Sequence, residues 1–349
     1  MKLHEECAVF GVSLRDRQAT SAEAVGMTYN GLLAMQHRGQ EGAGIAALQG
    51  QSIFCHKKVG LVSEVFSEAE LRELTGSLVI GHTRYSTTGA NTLRNVQPFV
   101  TEFLTGRVAL AHNGNITNAK WLRDGLASRG INFEASSDSE VIAALVAYEI
   151  RKADSLMVGV KRALSFIEGA FTLVILSSDG KLVAARDRHG FRPLCLGANA
   201  HGLAVASESC ALDSSGFTLV RDVQPGEIVI IENGQVTDIA FFGKDKPSGA
   251  GLCIFEYIYF ARSDSIIDKL CVYDARLNMG RILAREHPAE ADVVCGVPDS
   301  GLEAAAGFAE ASGLPLVSGF VKNRYIGRSF IYPTQVQREN AVRLKLNPL

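Results

Sequence analysis

The feature that most restricts this fold is a rhythm: strands come in runs and helices in groups, where a parallel sheet would alternate them. The stretch 6–12 (ECAVFGV) reads as a buried strand near the chain start. Thr20-x-x-Glu23 reads as a capping box opening a helix to about Met35. Residues 45–48 and 52–56 flank Gln49-Gly50-Gln51, a hairpin by period and turn chemistry, and 77–83 and 107–111 read as further strands. Helices are expected from Asn118, from Ser137 (Glu140 completing a second capping box) and over 156–167. Strands return at 170–176, at 181–186 after the Asp179-Gly180 turn, and at 203–206. Residues 227–231 and 235–239 bracket Asn233-Gly234, the strongest short hairpin signal. This grouping predicts two stacked antiparallel sheets covered by helices, not a βαβ array.

Residues 242–251 (FGKDKPSGAG) are rich in Gly, Lys and Pro and make the best linker. Beyond them 273–286 and 301–312 read as helices, 291–295 as a buried strand and 316–317 as the start of another, which is α/β with a parallel sheet. A length of 349 residues suits about two domains at ~150 residues each. The net charge of −2 lacks the basic excess that a nucleic-acid or membrane surface needs. No apolar run approaches the ~20 residues of a spanning helix, and no signal-peptide stretch opens the chain, so a soluble cytoplasmic protein is expected. The 7 cysteines are scattered without a Cys-x-x-Cys pair, which points to reduced, mostly buried thiols. Only Cys7 and Cys253 have surroundings that suggest a task.

A cysteine at a new chain end carries its own α-amino group, with a pKa of ~7.7–8.0, which can take the thiol proton. Cys7, preceded by Glu5-Glu6, could become such a residue; a buried strand cysteine is the alternative. Four later clusters contain what this nucleophile needs. In Gln36-His37-Arg38-Gly39-Gln40-Glu41-Gly42-Ala43-Gly44 the dense glycines suggest backbone approaching something closely. His82-Thr83-Arg84-Tyr85-Ser86-Thr87 ends a strand, where Arg84 could fork onto a carboxylate or simply meet solvent. His112-Asn113-Gly114-Asn115 closes another; the Asn113 amide and the Gly114 N–H could face an oxyanion, or form a plain turn. Asp138 in Ser136-Ser137-Asp138-Ser139-Glu140 could hold an ammonium group or merely cap a helix.

In this order the clusters resemble the class II, N-terminal-nucleophile glutamine amidotransferases: E-E-C-A-V-F-G, Q-H-R-G-Q-E-G-A-G, G-H-T-R-Y-S-T, H-N-G-N and S-S-D-S-E. The resemblance implies Cys7 as nucleophile and Asn113 and Gly114 as the oxyanion hole. It implies Arg84 and Asp138 as partners of the glutamine carboxylate and amine, with Arg38 and Tyr85 shaping the pocket or its closing loop and Thr87 at the glutamine site. It further implies removal of residues 1–6 as a propeptide, since Cys7 otherwise has an amide in place of its base.

The second half discriminates among acceptors. Cys253 opens C-I-F-E-Y-I-Y-F-A-R-S-D-S; Val297-Pro298-Asp299-Ser300-Gly301 lies between a strand and a helix, where N–H groups could bind phosphate or merely be capped. Lys322-Asn323-Arg324-Tyr325-Ile326-Gly327-Arg328 is a basic loop able to close over a polyphosphate, or a solvated charge run. Taken together these segments resemble the amidophosphoribosyltransferase family. The implied architecture is α+β: a four-layer αββα N-terminal-nucleophile hydrolase domain (7–241), the linker (242–251), then an incomplete α/β type I phosphoribosyltransferase domain (252–349). The implied chemistry is transfer of glutamine-derived ammonia to phosphoribosyl pyrophosphate in purine biosynthesis. Asp299, Ser300, Gly301, Lys322, Arg324, Tyr325 and Arg328 would hold that substrate, with Mg²⁺ near Ser300. In members that carry a [4Fe–4S] cluster one ligand occupies the place of Cys253, although a plain apolar cysteine fits there too. A homo-oligomer, dimer or tetramer, is implied. The family's signature loop for phosphoribosyl pyrophosphate has no counterpart in this sequence, so at most glutaminase activity is expected of the chain as given. Two alternatives remain: an amidotransferase with another acceptor, such as a sugar phosphate, and a non-catalytic regulatory subunit on the same fold.

Overall fold

Seven consecutive buried residues, Ala8–Leu14, form β1 at the centre of a seven-stranded sheet. The computed structural model describes residues 7–15, 22–85, 92–103, 106–243, 251–323 and 335–349. After β1 come α1 (Glu23–Ala34), β2 (Gly42–Gln49), β3 (Ser52–Val59), α2 (Val62–Val65), α3 (Glu68–Glu73), β4 (Leu78–Arg84), β5 (Phe99–Phe103) and β6 (Gly106–Ile116). Then follow α4 (Ala119–Ala127), α5 (Asp138–Ile150), α6 (Leu156–Ser165), β7 (Gly169–Ser177), β8 (Lys181–Arg186), β9 (Cys195–Ala198) and β10 (Gly202–Ala206). The last elements of this unit are α7 (Ser209–Ser214), β11 (Thr218–Asp222), β12 (Glu227–Glu232) and β13 (Gln235–Phe241).

One sheet has the order β11-β9-β10-β1-β4-β2-β3, the other β13-β12-β8-β7-β6-β5. Period-two alternation assigns each strand face a layer. On β1, Ala8, Phe10 and Val12 join the core shared with α1, while Val9 joins the core between the sheets. On β6, Val108 and Leu110 pack with α5 and α6, while Ala109 and Ala111 face between the sheets. Helix, sheet, sheet, helix is the αββα stack. Covering both faces explains why strands such as AVFGVSL read as continuous apolar runs. Close layers require small residues: a Cβ on Gly31 of α1 would lie 2.7 Å from the Phe10 ring.

The hairpins at Gly50-Gln51 and Asn233-Gly234 form as read, the latter with both residues at positive φ (50° and 65°). Both capping boxes differ. Helix α1 starts at Glu23 after Ala22, so Glu23 is not at the third helical position, and Thr20 lies outside the described residues. Ser137 does cap α5, accepting from Ser139 N, but the Glu140 carboxylate bonds Glu134 N and Ala135 N instead of Ser137 N. Asn95 Oδ1 takes Ser137 N, so Glu140 is free to hold the preceding loop. Strands β5, β9 and β11 and helix α7 carry no sequence forecast above; they are short, at 4–6 residues.

The proposed linker region begins inside the first unit. Phe242 is buried and stacks on Phe171 at 6.0 Å, and Gly251 N and Cys253 N bond the carbonyls of His189 and Phe191. Contacts therefore extend the first unit to Glu256, with 266–268 added, and the second comprises 257–265 and 269–349.

In the second unit α8 (Val272–Glu286) and α9 (Gly301–Ser312) touch backbone to backbone. A Cβ on Gly280 would sit 1.9 Å from Ala304 O, and one on Gly307 1.9 Å from Leu277 O. Buried Arg276 on α8 gathers the carbonyls of Tyr257 and Ala261. The expected buried strand 291–295 is instead one parallel bridge, Val294 to Leu316, with Val293 and Leu316 about half exposed. A parallel ladder needs cover on both faces, which these residues lack. The third helix is α10 (Gln335–Lys345).

Candidate active site

The β1–β4 register, Ala8 against Thr83, carries Cys7 toward the end of β4, where Arg84 and Tyr85 stand. Cys7 is buried, with Sγ 3.4 Å from both the Tyr85 carbonyl oxygen and its amide nitrogen. Period two carries Cys7 and Arg84 onto the face shared by Val9 and His82, which looks between the sheets. Burial lowers the Arg84 pKa, opposed by Cys7 and by Glu41, whose carboxylate is 3.8 Å from the guanidinium. The glycines read as sites of close approach are that. A Cβ on Gly39 would meet the Thr83 carbonyl carbon at 2.7 Å and the Arg84 nitrogen at 2.8 Å, and one on Gly44 would meet Gln97 O at 2.2 Å.

Arg38 is wholly buried. Its Nε donates to Cys7 O (3.2 Å), Nη1 to Glu208 Oε1 (2.7 Å) and Glu256 Oε2 (2.9 Å), and Nη2 to Glu256 Oε1 (2.8 Å). His37 Nε2 lies 2.8 Å from the same Glu208 oxygen. Burial would raise the Glu208 pKa, but His37 and Arg38 overcome it and hold the carboxyl well below the usual range. With its fork spent on two carboxylates, Arg38 keeps its Nε for the backbone carbonyl of Cys7.

The strand expected to close at His112–Asn115 runs on through these residues to Ile116, so they sit inside the sheet. Asn113 faces Thr172 of β7 in register, and Gly114 adopts φ 144°, where a Cβ would lie 2.1 Å from Ala170 O. Both polar atoms of the Asn113 amide are fully buried without a hydrogen-bond partner, as is Thr172 Oγ1. Around them the frame is closely bonded. His82 Nε2 donates to His112 O (3.0 Å), Gln97 Oε1 accepts from His112 N (2.7 Å), and His112 Nδ1 lies 2.9 Å from Ser139 Oγ. Burial pushes both imidazoles down, His82 to about 3, so they are neutral structural members. Asp138, buried at the start of α5, accepts from Ile116 N at 3.1 Å, which fixes its carboxylate beside the end of β6.

Thus Cys7 meets Tyr85 and Arg38 directly and feels the Arg84 charge, and Asn113, Gly114 and Asp138 belong to the facing sheet and its helix; Thr87 lies outside the described residues. In the second unit Asp299 pairs with Lys322, and Ser300 and Gly301 begin α9; Arg324, Tyr325 and Arg328 lie outside the described residues. Among the described residues no three His, Cys, Asp or Glu side chains gather to hold a metal, and no helix is long and apolar enough to cross a membrane. Glu208, Glu256, Gln97 and Asn95 escaped sequence reasoning. A lone acid inside the apolar run V-A-S-E-S-C-A-L was the available signal for Glu208, and the F-E-Y-I-Y-F run was the signal for Glu256.

The family described as "Glutamine amidotransferase domain" matches residues 82–214. An amidophosphoribosyltransferase from Synechocystis is 47% identical over 100% of this chain and 69% of its own length. One from Methanocaldococcus jannaschii is 44% identical over 98% of this chain and 74% of its own. The structure of the glutamine phosphoribosylpyrophosphate amidotransferase of B. subtilis, complexed with ADP and GMP, superposes with a TM-score of 0.86 at 42% identity, covering 98% of this chain and 72% of that one.

Proposed function

Because this chain belongs to the amidophosphoribosyltransferase family, the enzymes of the committed step of purine biosynthesis, we propose that its first unit is the glutaminase and that Cys7 is the nucleophile. The carrying observation is the Asn113 amide, unpartnered and buried on the face between the sheets that Cys7 also meets. An unsatisfied buried amide costs about 1–3 kcal/mol, so a frame this well bonded keeps one where a ligand supplies the partner.

In the reaction we infer, the α-amine of Cys7, released by cleavage after Glu6, takes the thiol proton. The sulfur adds to the glutamine side-chain carbonyl. Asn113 Nδ2 and the Gly114 N–H receive the oxyanion, worth ~10²–10³ in rate per donor. The amine returns its proton to the departing ammonia, and water hydrolyses the thioester to glutamate. Arg84 faces the substrate carboxylate and Asp138 its ammonium group, beside Tyr85 and Thr87. Arg38 holds Cys7 O still during these steps.

For the second unit we propose phosphoribosyl pyrophosphate binding at Asp299, Ser300, Gly301 and Lys322, joined by Arg324, Tyr325 and Arg328. Hard oxygen donors at Asp299 and Ser300 suit Mg²⁺, which favours few protein ligands plus substrate phosphates. When bound, it neutralises charge on the leaving pyrophosphate. A [4Fe–4S] cluster takes four thiolates, and the described residues offer Cys253 without companions, so they do not by themselves fit one. We further propose a homo-oligomer in the cytoplasm. The test joins intact mass with glutamine turnover: the active species should begin at Cys7 and bind one glutamine-like diazoketone, and Cys7→Ala should do neither. Turnover by a species retaining residues 1–6, or by Cys7→Ala, would refute the reading.

A further inference from the structure

The oxyanion site has a second member that no motif marks. Thr172 stands opposite Asn113 in the β6–β7 ladder, so the two side chains emerge on one face, about 4.5–5.5 Å apart at Cβ. Two residues further along, Ala111 and Val174 fix that face as the one between the sheets. Asn113 and Thr172 are both fully buried, and Asn113 Nδ2, Asn113 Oδ1 and Thr172 Oγ1 all lack partners. An asparagine amide donates only from nitrogen and accepts only at oxygen, so its orientation decides whether it helps or repels an oxyanion.

We propose that Thr172 is a positioning residue for the oxyanion site: the two side chains are not bonded to each other in this structure, and when the amide turns Nδ2 to the oxyanion the Thr172 hydroxyl donates to Asn113 Oδ1. This rests on the reading of Asn113 given above. The nearby imidazole of His82 cannot replace it. Its Nε2–H is committed to His112 O, which leaves Nδ1 as an acceptor. Without the hydroxyl, Oδ1 is buried and unpaired in the productive orientation, so the amide samples others and must return each time the oxyanion forms. The loss then falls on kcat more than on KM.

The test uses the processed full-length chain with Thr172→Val, Thr172→Ser, Asn113→Ala and the Asn113→Ala/Thr172→Val double variant, measuring glutaminase kcat and KM. Thr172→Val removes the hydroxyl at nearly constant shape and should lower kcat about tenfold, less than the ~10²–10³ of losing the amide, with KM within about twofold. Thr172→Ser should stay near wild type, and Thr172→Val should add nothing in the Asn113→Ala background. Unchanged kcat, a change confined to KM, or an additive loss in the double variant would overturn the proposal. If Thr172→Val fails to fold, Thr172→Ala carries the same comparison. Should Asn113→Ala itself keep full kcat, the oxyanion assignment falls, and the two failures are thereby distinguished.

Discussion

Replacing Arg38 with methionine tests how Cys7 is held. The side chains of Arg38, Glu208 and Glu256 have no exposed surface, and one guanidinium serves both carboxylates at 2.7–2.9 Å. Removing one partner of a buried ion pair costs about 3–5 kcal/mol, because the other charge stays buried. Here two carboxylates lose their shared cation, so the upper end, about 5 kcal/mol, is expected from a domain whose whole stability is of order 5–15 kcal/mol. Arg38→Lys keeps the charge but not the fork, and should lose about 1–3 kcal/mol. Adding Glu256→Gln to Arg38→Met should recover part of the loss by removing one uncompensated charge. The pH response follows the same physics. With its folded pKa depressed, Glu208 contributes stability that is complete above the unfolded value of ~4.5 and is lost as pH falls below it. Arg38→Met should flatten that acid limb. Urea midpoints by circular dichroism at pH 7 and pH 4 measure both effects. A midpoint stability at pH 7 within about 1 kcal/mol of wild type would refute the claim that this network is a buried, charge-balanced unit.

Gly114→Ala should abolish glutamine turnover and cost roughly 2–3 kcal/mol, since its φ of 144° and the 2.1 Å approach to Ala170 O both exclude a Cβ; kcat with a melting curve checks it, and normal turnover would contradict it. His82, held neutral by burial with a pKa of about 3, contributes stability present above ~6.5 and lost toward pH 3, about 1.4 kcal/mol per pH unit. His82→Gln should therefore show a shallower fall in stability between pH 6.5 and 4, and an unchanged slope would count against a neutral buried imidazole.

Local chemistry was the legible part. Asn233-Gly234 announces its hairpin because few other residues tolerate paired positive φ. The glycines around Arg38 announce close approach because any Cβ would collide. Where a side chain had two equivalent local options, sequence could not choose. Glu140 can cap its own helix or grip the loop before it, and the decision lies with Asn95, some 40 residues away, which already holds Ser137 N. The same holds for Arg38: whether a buried guanidinium faces substrate or carboxylates depends on Glu208 and Glu256, distant in the chain by 170 and 218 residues. Residues 291–295 look like a buried parallel strand only if neighbours cover them, and composition says nothing about neighbours.

The first rung of β1 joins Ala8 to Thr83, and its other neighbour, β10, begins pairing at Phe10. Severing the bond before Cys7 would thus leave every rung formed by the described residues in place. If the chain is processed there as proposed, maturation would ask no rearrangement of the described part of β1, so it could follow folding as a separate event timed by chemistry or a protease.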